Sequence, residues 1–376
     1  MLPEKNEFVT EVCRKNACDE IIRDPIKNFF NNFHANVKKE KYTAKAPLFF
    51  IIPRHYKKEL RYTRNCTLPY KRPDGNIRDN FRVPENVVLP SNYCYNPITD
   101  FTTRIRSLTS FCHKTSCIFI EDNLYVFNGF NQPIKKDYVC KYNFENDKWE
   151  SNIFKKYTDF RTESVTLNHP FDSSKAIQIG GFNKIGKCYL SFNVYDFCDY
   201  TFRSHTPLPY EDLYQIEAGI SHRNALFLFP RIPQYQCIVW DPRDNGEFSQ
   251  KVNVSFMNGR RDYGITKNLE SIFISGGDCR KTFKDNELAL PDDILEFDTR
   301  MMKFRFCGRM LENRRMHCTF AYRNEIYFLG GTSRERKADH SIPIYNLRSN
   351  SWRKSKDILP RVLDVNCFAF NDKYFE

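Results

Sequence analysis

A repeated pair of aromatic residues constrains the fold of this chain more than any other feature. In each copy an aromatic residue directly precedes Asp or Asn, and a second aromatic residue follows five to seven positions after that polar residue. The leading residues are Tyr95, Tyr142, Tyr195, Trp240, Phe297 and Tyr345, and the second residues are Phe101, Trp149, Phe202, Phe248, Phe304 and Trp352. Successive leading residues are 47, 53, 45, 57 and 48 positions apart. A period near 50 residues predicts an array of similar structural units.

A short apolar run that ends in a pair of glycines recurs with nearly the same period. The complete copies end in Gly180-Gly181, Gly276-Gly277 and Gly330-Gly331. The run that ends in Asn128-Gly129 is a near match, and two further runs carry Phe229-Pro230 and Ile52-Pro53 in place of the glycines. Such runs are too short for helices and are bounded by turn residues, so they predict strands. A glycine pair at a strand end allows positive φ angles and a close approach of the backbone.

The two motifs together predict a unit of four strands. A third apolar run, such as residues 116–120 or 317–321, lies upstream of most glycine pairs and is followed by a polar turn. The Asp or Asn of the aromatic motif favours a turn because its side chain can accept a hydrogen bond from nearby backbone. One four-stranded sheet cannot bury both of its faces, so the units are expected to pack side by side around an axis.

These ordered motifs resemble those of the kelch family over residues 46–376, and the resemblance implies an all-β fold, the kelch β-propeller. We expect six blades. The first copy lacks its first strand, and residues 365–370 read as that missing strand, which would close the ring from the C-terminal end. The alternative is a chain that lacks further blades. A long basic insertion at residues 54–91 separates two strands of the first blade, and loops of this length are uncommon unless they are functional or disordered.

Residues 1–45 are expected to form a short helical segment in front of the propeller. Apolar residues recur there at helical spacing, and Asp24-Pro25 suits the start of a second helix. This segment is similar to the C-terminal end of the BACK helices in BTB–BACK–kelch proteins. The chain therefore resembles a kelch-like protein that lacks the BTB domain and most of BACK.

Composition narrows the classes of function. The 376 residues carry a formal net charge of +12, which favours acidic partners. No signal peptide and no apolar run long enough to cross a membrane is visible, so we expect a cytoplasmic location and no membrane partner. The 14 cysteines include no CxxC pair and are interpreted as buried thiols. No spacing of catalytic or metal-binding residues emerges, so we expect no enzyme, no metal and no cofactor.

Basic residues at the ends of the predicted strands are the candidate binding residues. They precede the first strands or follow the glycine pairs, which places them around the central opening on one face of a propeller. The candidates are Arg161, Arg231, Arg261, Arg280, Lys281, Arg315 and Arg334. Converging arginines could hold an acidic segment of a partner protein. The competing interpretation is that these side chains are solvated or bind carbonyl groups of neighbouring blades.

We therefore expect a non-enzymatic module that binds a partner or substrate protein through its loop face. The BACK-like resemblance implies a substrate receptor of a cullin-RING ubiquitin ligase. An actin-binding or cytoskeletal kelch protein is the alternative, and a kelch-like oxidase is a remote one. Nucleic acid is disfavoured, because no recognition helix is predicted and the aromatic residues belong to core motifs.

Overall fold

We describe the protein from a computed structural model, which is all-β in the parts that it describes. These parts are residues 48–55, 92–97, 100–105, 116–120, 123–127, 139–143, 148–151, 153–154, 161, 163–183, 187–189, 191–205, 216–230, 237–241, 250–252, 260–280, 288–289, 291–333, 341–358 and 364–370. The expected helical segment at residues 1–45 lies outside them. Most of the basic insertion does too, although its first two residues belong to a strand.

Five four-stranded sheets are each built from one continuous stretch of chain. Sheet 2 contains β4 (Ser116–Ile120), β5 (Asn123–Phe127), β6 (Val139–Asn143) and β7 (Lys148–Glu150). Sheet 3 contains β8 (Val165–Asn168), β9 (Lys175–Ile179), β10 (Phe192–Asp196) and β11 (Thr201–His205). Sheet 4 contains β12 (Ile216–His222), β13 (Ala225–Pro230), β14 (Cys237–Trp240) and β15 (Gln250–Val252). All of the strand pairs in these three sheets are antiparallel.

The next two sheets follow the same plan with longer strands. Sheet 5 contains β16 (Gly264–Asn268), β17 (Ser271–Ser275), β20 (Asp293–Asp298) and β21 (Lys303–Arg309). A two-stranded ribbon, β18 (Cys279–Arg280) with β19 (Leu288–Ala289), projects from the connection between β17 and β20. Sheet 6 contains β22 (Arg314–Tyr322), β23 (Glu325–Ser333), β24 (Ser341–Asn346) and β25 (Ser351–Ile358).

Both ends of the described chain contribute to one further four-stranded sheet. Sheet 1 joins β26 (Asp364–Phe370) to β1 (Leu48–His55), β2 (Asn92–Asn96) and β3 (Phe101–Ile105) in that order. β26 runs antiparallel to β1, with Leu48 opposite Phe370 and Ile52 opposite Asn366. The C-terminal strand therefore supplies the first strand of this sheet, which is the position that the sequence predicts for it.

The first strands of the sheets contact one another in a closed circle. β26 contacts β4, and the chain of contacts continues through β8, β12, β16 and β22 back to β26. Apolar side chains of neighbouring sheets fill the space between them, as Phe229 of sheet 4 and Ile274 of sheet 5 do. This radial packing of antiparallel sheets around a common axis is a β-propeller. Burial of apolar faces between sheets is the main stabilising contribution to such a fold.

The aromatic motif explains how the outer half of each sheet is held. In sheets 2, 3, 5 and 6 its two aromatic residues lie directly opposite each other on the third and fourth strands, as Tyr142 and Trp149 do with ring centroids 4.9 Å apart. In sheet 1 the predicted pair is offset, because Tyr95 lies opposite Thr102 and Asn96 lies opposite Phe101. Asp298 shows the role of the polar residue, because its Oδ1 accepts hydrogen bonds from the backbone N–H groups of Arg300 and Met301. The motif therefore combines a buried aromatic pair with a stabilised turn.

No helix in the described part of the chain is long and apolar enough to span a membrane.

Candidate functional site: arginines on the glycine-pair face

One face of the propeller carries the starts of the first strands and the ends of the second strands, and we call it the glycine-pair face. The six paired glycines that the sequence singles out, Gly180, Gly181, Gly276, Gly277, Gly330 and Gly331, lie here with φ angles between 56° and 93°. A Cβ atom on Gly276 would lie 2.4 Å from the carbonyl oxygen of Arg314 in the next sheet. The glycines thus let neighbouring sheets approach closely at this face.

Three arginines occupy equivalent places at this face and are buried. Arg161 and Arg260 lie four residues before β8 and β16, Arg314 is the first residue of β22, and two residues after each of them the backbone has a positive φ angle. Arg314 donates from its guanidinium to the carbonyl of Gly330 at 3.2 Å. Arg260 forms a salt bridge with Asp293 at 2.8 Å. These arginines therefore fix the start of a first strand to the second strand or to the start of the third strand of the same sheet.

Arg161, a predicted partner-binding residue, belongs to this buried group. Its guanidinium donates to Ser191 Oγ at 2.9 Å and to Asn193 Oδ1 at 3.0 Å, and it stacks on the ring of Tyr189 at 4.3 Å. A fully engaged and buried side chain is not accessible to a partner. For Arg161 the structure favours a structural role, although its partners belong to its own blade and not to a neighbouring one, as the competing interpretation expects.

Two other predicted arginines, Arg261 and Arg315, meet at a single carboxylate. Arg261 Nε lies 2.6 Å from Asp278 Oδ1, and Arg315 of the next sheet places a guanidinium nitrogen 2.9 Å from Asp278 Oδ2. The Asp278 side chain is completely buried, whereas the side chains of Arg261 and Arg315 remain 23% and 27% exposed. The cluster therefore presents two partly exposed guanidinium groups with a net charge of +1.

The backbone also fixes Arg261 in place. Its N–H and carbonyl groups exchange hydrogen bonds with those of Asp278, at 3.0 and 2.8 Å. Asp278 was not among the residues predicted from the sequence, although it directly follows Gly276-Gly277, whereas the other two complete pairs are followed by Phe182 and Thr332. An acidic residue immediately after a glycine pair is the signal that could have found it.

A buried histidine lies beneath this cluster. The ring of His317 packs against Gly264 and Gly276, and its Nε2 lies 3.0 Å from Ser275 Oγ. Burial, together with the nearby charge of Arg314, lowers the pKa of His317 to about 3. The ring is therefore neutral at physiological pH, and it contributes no charge to the face above it.

Carboxylates occupy the neighbouring part of the same face. Glu217 of sheet 4 accepts a hydrogen bond from the backbone N–H of Asp262 at 2.6 Å. The nearby phenol of Tyr263 is buried, and its burial, reinforced by the Glu217 charge, raises its pKa well above the usual value. Among the described residues of this face, partly exposed arginines thus lie where sheets 5 and 6 meet, and the carboxylate of Glu217 lies towards sheet 4.

The remaining candidates cannot be placed relative to this cluster. Arg231, Lys281 and Arg334 lie outside the described residues, and for Arg280 only the backbone, in strand β18, is described. Among the described residues no group of three or more His, Cys, Asp or Glu side chains could hold a metal ion. The structure therefore brings together Arg261 and Arg315 of the seven predicted binding residues.

Comparison with known proteins supports the fold. No protein-family model matches the chain, and no curated protein matches it. Solved structures do match, among them one described as "Structure of YjhT", which is 16% identical in sequence. The alignment covers 71% of this chain and 93% of that chain, with a TM-score of 0.58. At this level of identity the similarity shows a shared β-propeller fold.

Proposed function

We propose that the chain is a kelch-type propeller whose composite sheet 1 serves as the sixth blade, and that it binds a partner protein without catalysing a reaction. The kelch assignment is supported by the positive φ angles of the glycine pairs and by the aromatic pairs of the outer strands. The pairing of β26 with β1 supports the sixth blade.

The observation that carries the proposed binding function is the cluster of Arg261, Asp278 and Arg315. Two guanidinium groups from neighbouring sheets are held at fixed positions by one buried carboxylate, so little side-chain entropy remains to be lost on binding. Their exposed N–H groups suit a carboxylate of the partner, because guanidinium and carboxylate groups form paired, charge-assisted hydrogen bonds.

The division of charge on this face sets the orientation of the partner. An acidic residue of the partner would lie over the junction of sheets 5 and 6, where Arg261 and Arg315 are exposed. Glu217, whose carboxylate accepts the backbone N–H of Asp262, would disfavour a second acidic residue over sheets 4 and 5. We therefore infer a partner segment with acidic residues at one end and neutral or basic residues at the other.

The double variant Arg261→Gln with Arg315→Gln tests this proposal. Glutamine keeps a hydrogen-bond donor beside Asp278 but removes both charges, whereas a charge reversal would place a second carboxylate beside a buried one and destabilise the fold. Partners of the full chain would be recovered from cells by proximity labelling and quantified by mass spectrometry. We expect at least one abundant partner to be reduced tenfold or more with the double variant.

The matched control is Arg305→Gln with Arg353→Gln. These two arginines are on outer strands and pair with Glu296 and Glu325, so the control changes the net charge equally but leaves the glycine-pair face intact. Partners whose recovery falls equally with both variants would bind through net charge alone, and that result would contradict the proposal.

Two measurements separate two more specific versions of the function. Recovery of cullin or other ligase subunits with the wild-type chain would support a substrate receptor of a cullin-RING ubiquitin ligase. Cosedimentation of the purified chain with actin filaments, retained at 150 mM salt and lost with the Arg261 and Arg315 variant, would support the cytoskeletal alternative.

A further inference from the structure

The face opposite the glycine pairs has a second feature, which centres on Leu269. We call this the hairpin face, because it carries the tight turns between first and second strands and between third and fourth strands. Leu269 is the first residue of the two-residue turn between β16 and β17, and 67% of its surface is exposed. Its φ angle is 50°, in the left-handed region, which a branched apolar side chain adopts at an energetic cost.

The equivalent turns of neighbouring sheets do not carry an apolar residue at this place. The turn between β12 and β13 has Arg223 with a φ angle of 48°, and the turn between β22 and β23 has Arg323 with a φ angle of 56°. Nothing in the local backbone therefore requires leucine at the tip in sheet 5. An exposed apolar side chain held in an unfavourable conformation suggests that the side chain itself has a function.

A second exposed apolar side chain lies beside Leu269. Met301 is in the turn between β20 and β21 of the same sheet, and 62% of its surface is exposed. The two turns touch, because Thr299 donates hydrogen bonds from its backbone N–H and its hydroxyl to the carbonyl of Glu270, at 3.2 and 2.7 Å. Leu269 and Met301 are thus exposed on two turns that are hydrogen-bonded to each other.

The turn between β16 and β17 is also bonded to the sheets on either side, and this places arginines around Leu269 and Met301. Arg223 of sheet 4 forms a salt bridge with Glu270, and Asn268 donates a hydrogen bond to the carbonyl of Arg323 in sheet 6 at 2.9 Å. Arg300, next to Met301, is exposed as well. Of the described carboxylates in these two turns, Glu270 is paired with Arg223, and Asp298 accepts the backbone N–H groups of its own turn.

We propose that Leu269 and Met301, with Arg223, Arg300 and Arg323 around them, form a docking site for a short peptide segment of a partner protein. The apolar pair fits one or two large apolar side chains, and the surplus of positive charge around it fits flanking Asp or Glu residues. This site is distinct from the Arg261 and Arg315 cluster, because it lies on the opposite face of the propeller.

Selection of random dodecapeptides displayed on phage against the immobilised full-length protein tests this proposal. We expect enriched peptides with one or two large apolar residues flanked by acidic ones. Synthetic copies of these peptides, measured by fluorescence polarisation, should lose at least tenfold in affinity for the variant Leu269→Asn with Met301→Ser. The variant Arg300→Gln with Arg323→Gln should lower the affinity of these peptides severalfold, and added salt should lower it further.

Two controls keep the result interpretable. Asparagine tolerates a positive φ angle better than leucine, so Leu269→Asn should not lower the melting temperature, and lost binding would not reflect unfolding. Arg309→Gln, at the opposite end of β21, should leave the affinity of these peptides within twofold of wild type. Failure to enrich such peptides, or equal binding to the Leu269 and Met301 variant, would overturn the proposal.

Discussion

At the scale of single residues, His317 shows how close packing determines the charge of a group. Gly264 and Gly276 leave just enough space for its ring, since an added Cβ on either would lie within 2.9 Å of a ring atom. His317 is only 4% exposed, and the positive charge of Arg314 nearby disfavours a second positive charge on the ring. The pKa of about 3 in the folded state is therefore far below the value near 6.5 of an unfolded chain.

This difference in pKa predicts how stability depends on pH. Above pH 6.5 His317 is neutral in both the folded and the unfolded state, so it does not change the free energy of unfolding with pH. Below pH 6.5 the unfolded state binds a proton at His317 and the folded state does not, so stability falls as the pH falls. We expect wild type to lose about 2 kcal/mol more than His317→Gln between pH 7 and pH 5, because one proton is involved over that range. Urea denaturation at the two pH values measures this. An equal loss in both proteins would show that His317 is not buried in its neutral form.

The environments of the candidate binding residues could be predicted from the sequence only in part. The sequence predicts basic residues near the starts of the first strands, but neighbours in sequence have different environments. Arg260 is buried against Asp293, whereas Arg261 is partly exposed beside Asp278. Local sequence does not distinguish them, because the difference depends on which side chain faces a neighbouring sheet. Leu269 escaped prediction for a similar reason, since its positive φ angle and its exposure are properties of the folded turn.

At the scale of single elements, the glycine pairs determine how the second strands end. Gly277 has a φ angle of 93°, and a Cβ atom on it would lie 2.6 Å from the carbonyl oxygen of Arg261. Gly277→Ala would therefore combine a strained backbone with a contact to backbone atoms that cannot move away cheaply. We expect a loss of about 2 to 3 kcal/mol in the free energy of unfolding, measured by urea denaturation. Wild-type stability in this variant would mean that the glycine serves no conformational purpose.

Elements were more predictable than individual side chains because their signals repeat. The apolar runs that lead into glycine pairs correspond to β9, β17 and β23, and the degenerate run that ends in Phe229-Pro230 corresponds to β13. This alternation of short apolar runs with turn residues follows from local residue preferences, so it remains recognisable where the glycines are absent. The ribbon of β18 and β19 was not predicted, because it occurs in one sheet and leaves no repeated pattern.

At the scale of the whole molecule, the pairing of β26 with β1 joins the two ends of the described chain. Each sheet buries its faces against two neighbours, so a missing first strand in sheet 1 would remove contacts with sheets 2 and 6 as well as the ladder to β1. Removal of that strand would also leave β1 as a free sheet edge, which promotes association between molecules. Closure should therefore affect stability far more than the length of one strand suggests.

Two truncations test this dependence. Deletion of residues 364–376 removes β26 and should lower the melting temperature by more than 10 °C or yield aggregated protein, because the loss of an inner strand exposes apolar surface on two neighbouring sheets. Deletion of residues 371–376, which follow the strand, is the matched control and should leave the melting temperature within about 2 °C of wild type. Circular dichroism on heating and sedimentation velocity measure the two properties. If both truncations behaved alike, β26 would not be the strand that closes the ring, and the proposed sixth blade would have to be abandoned.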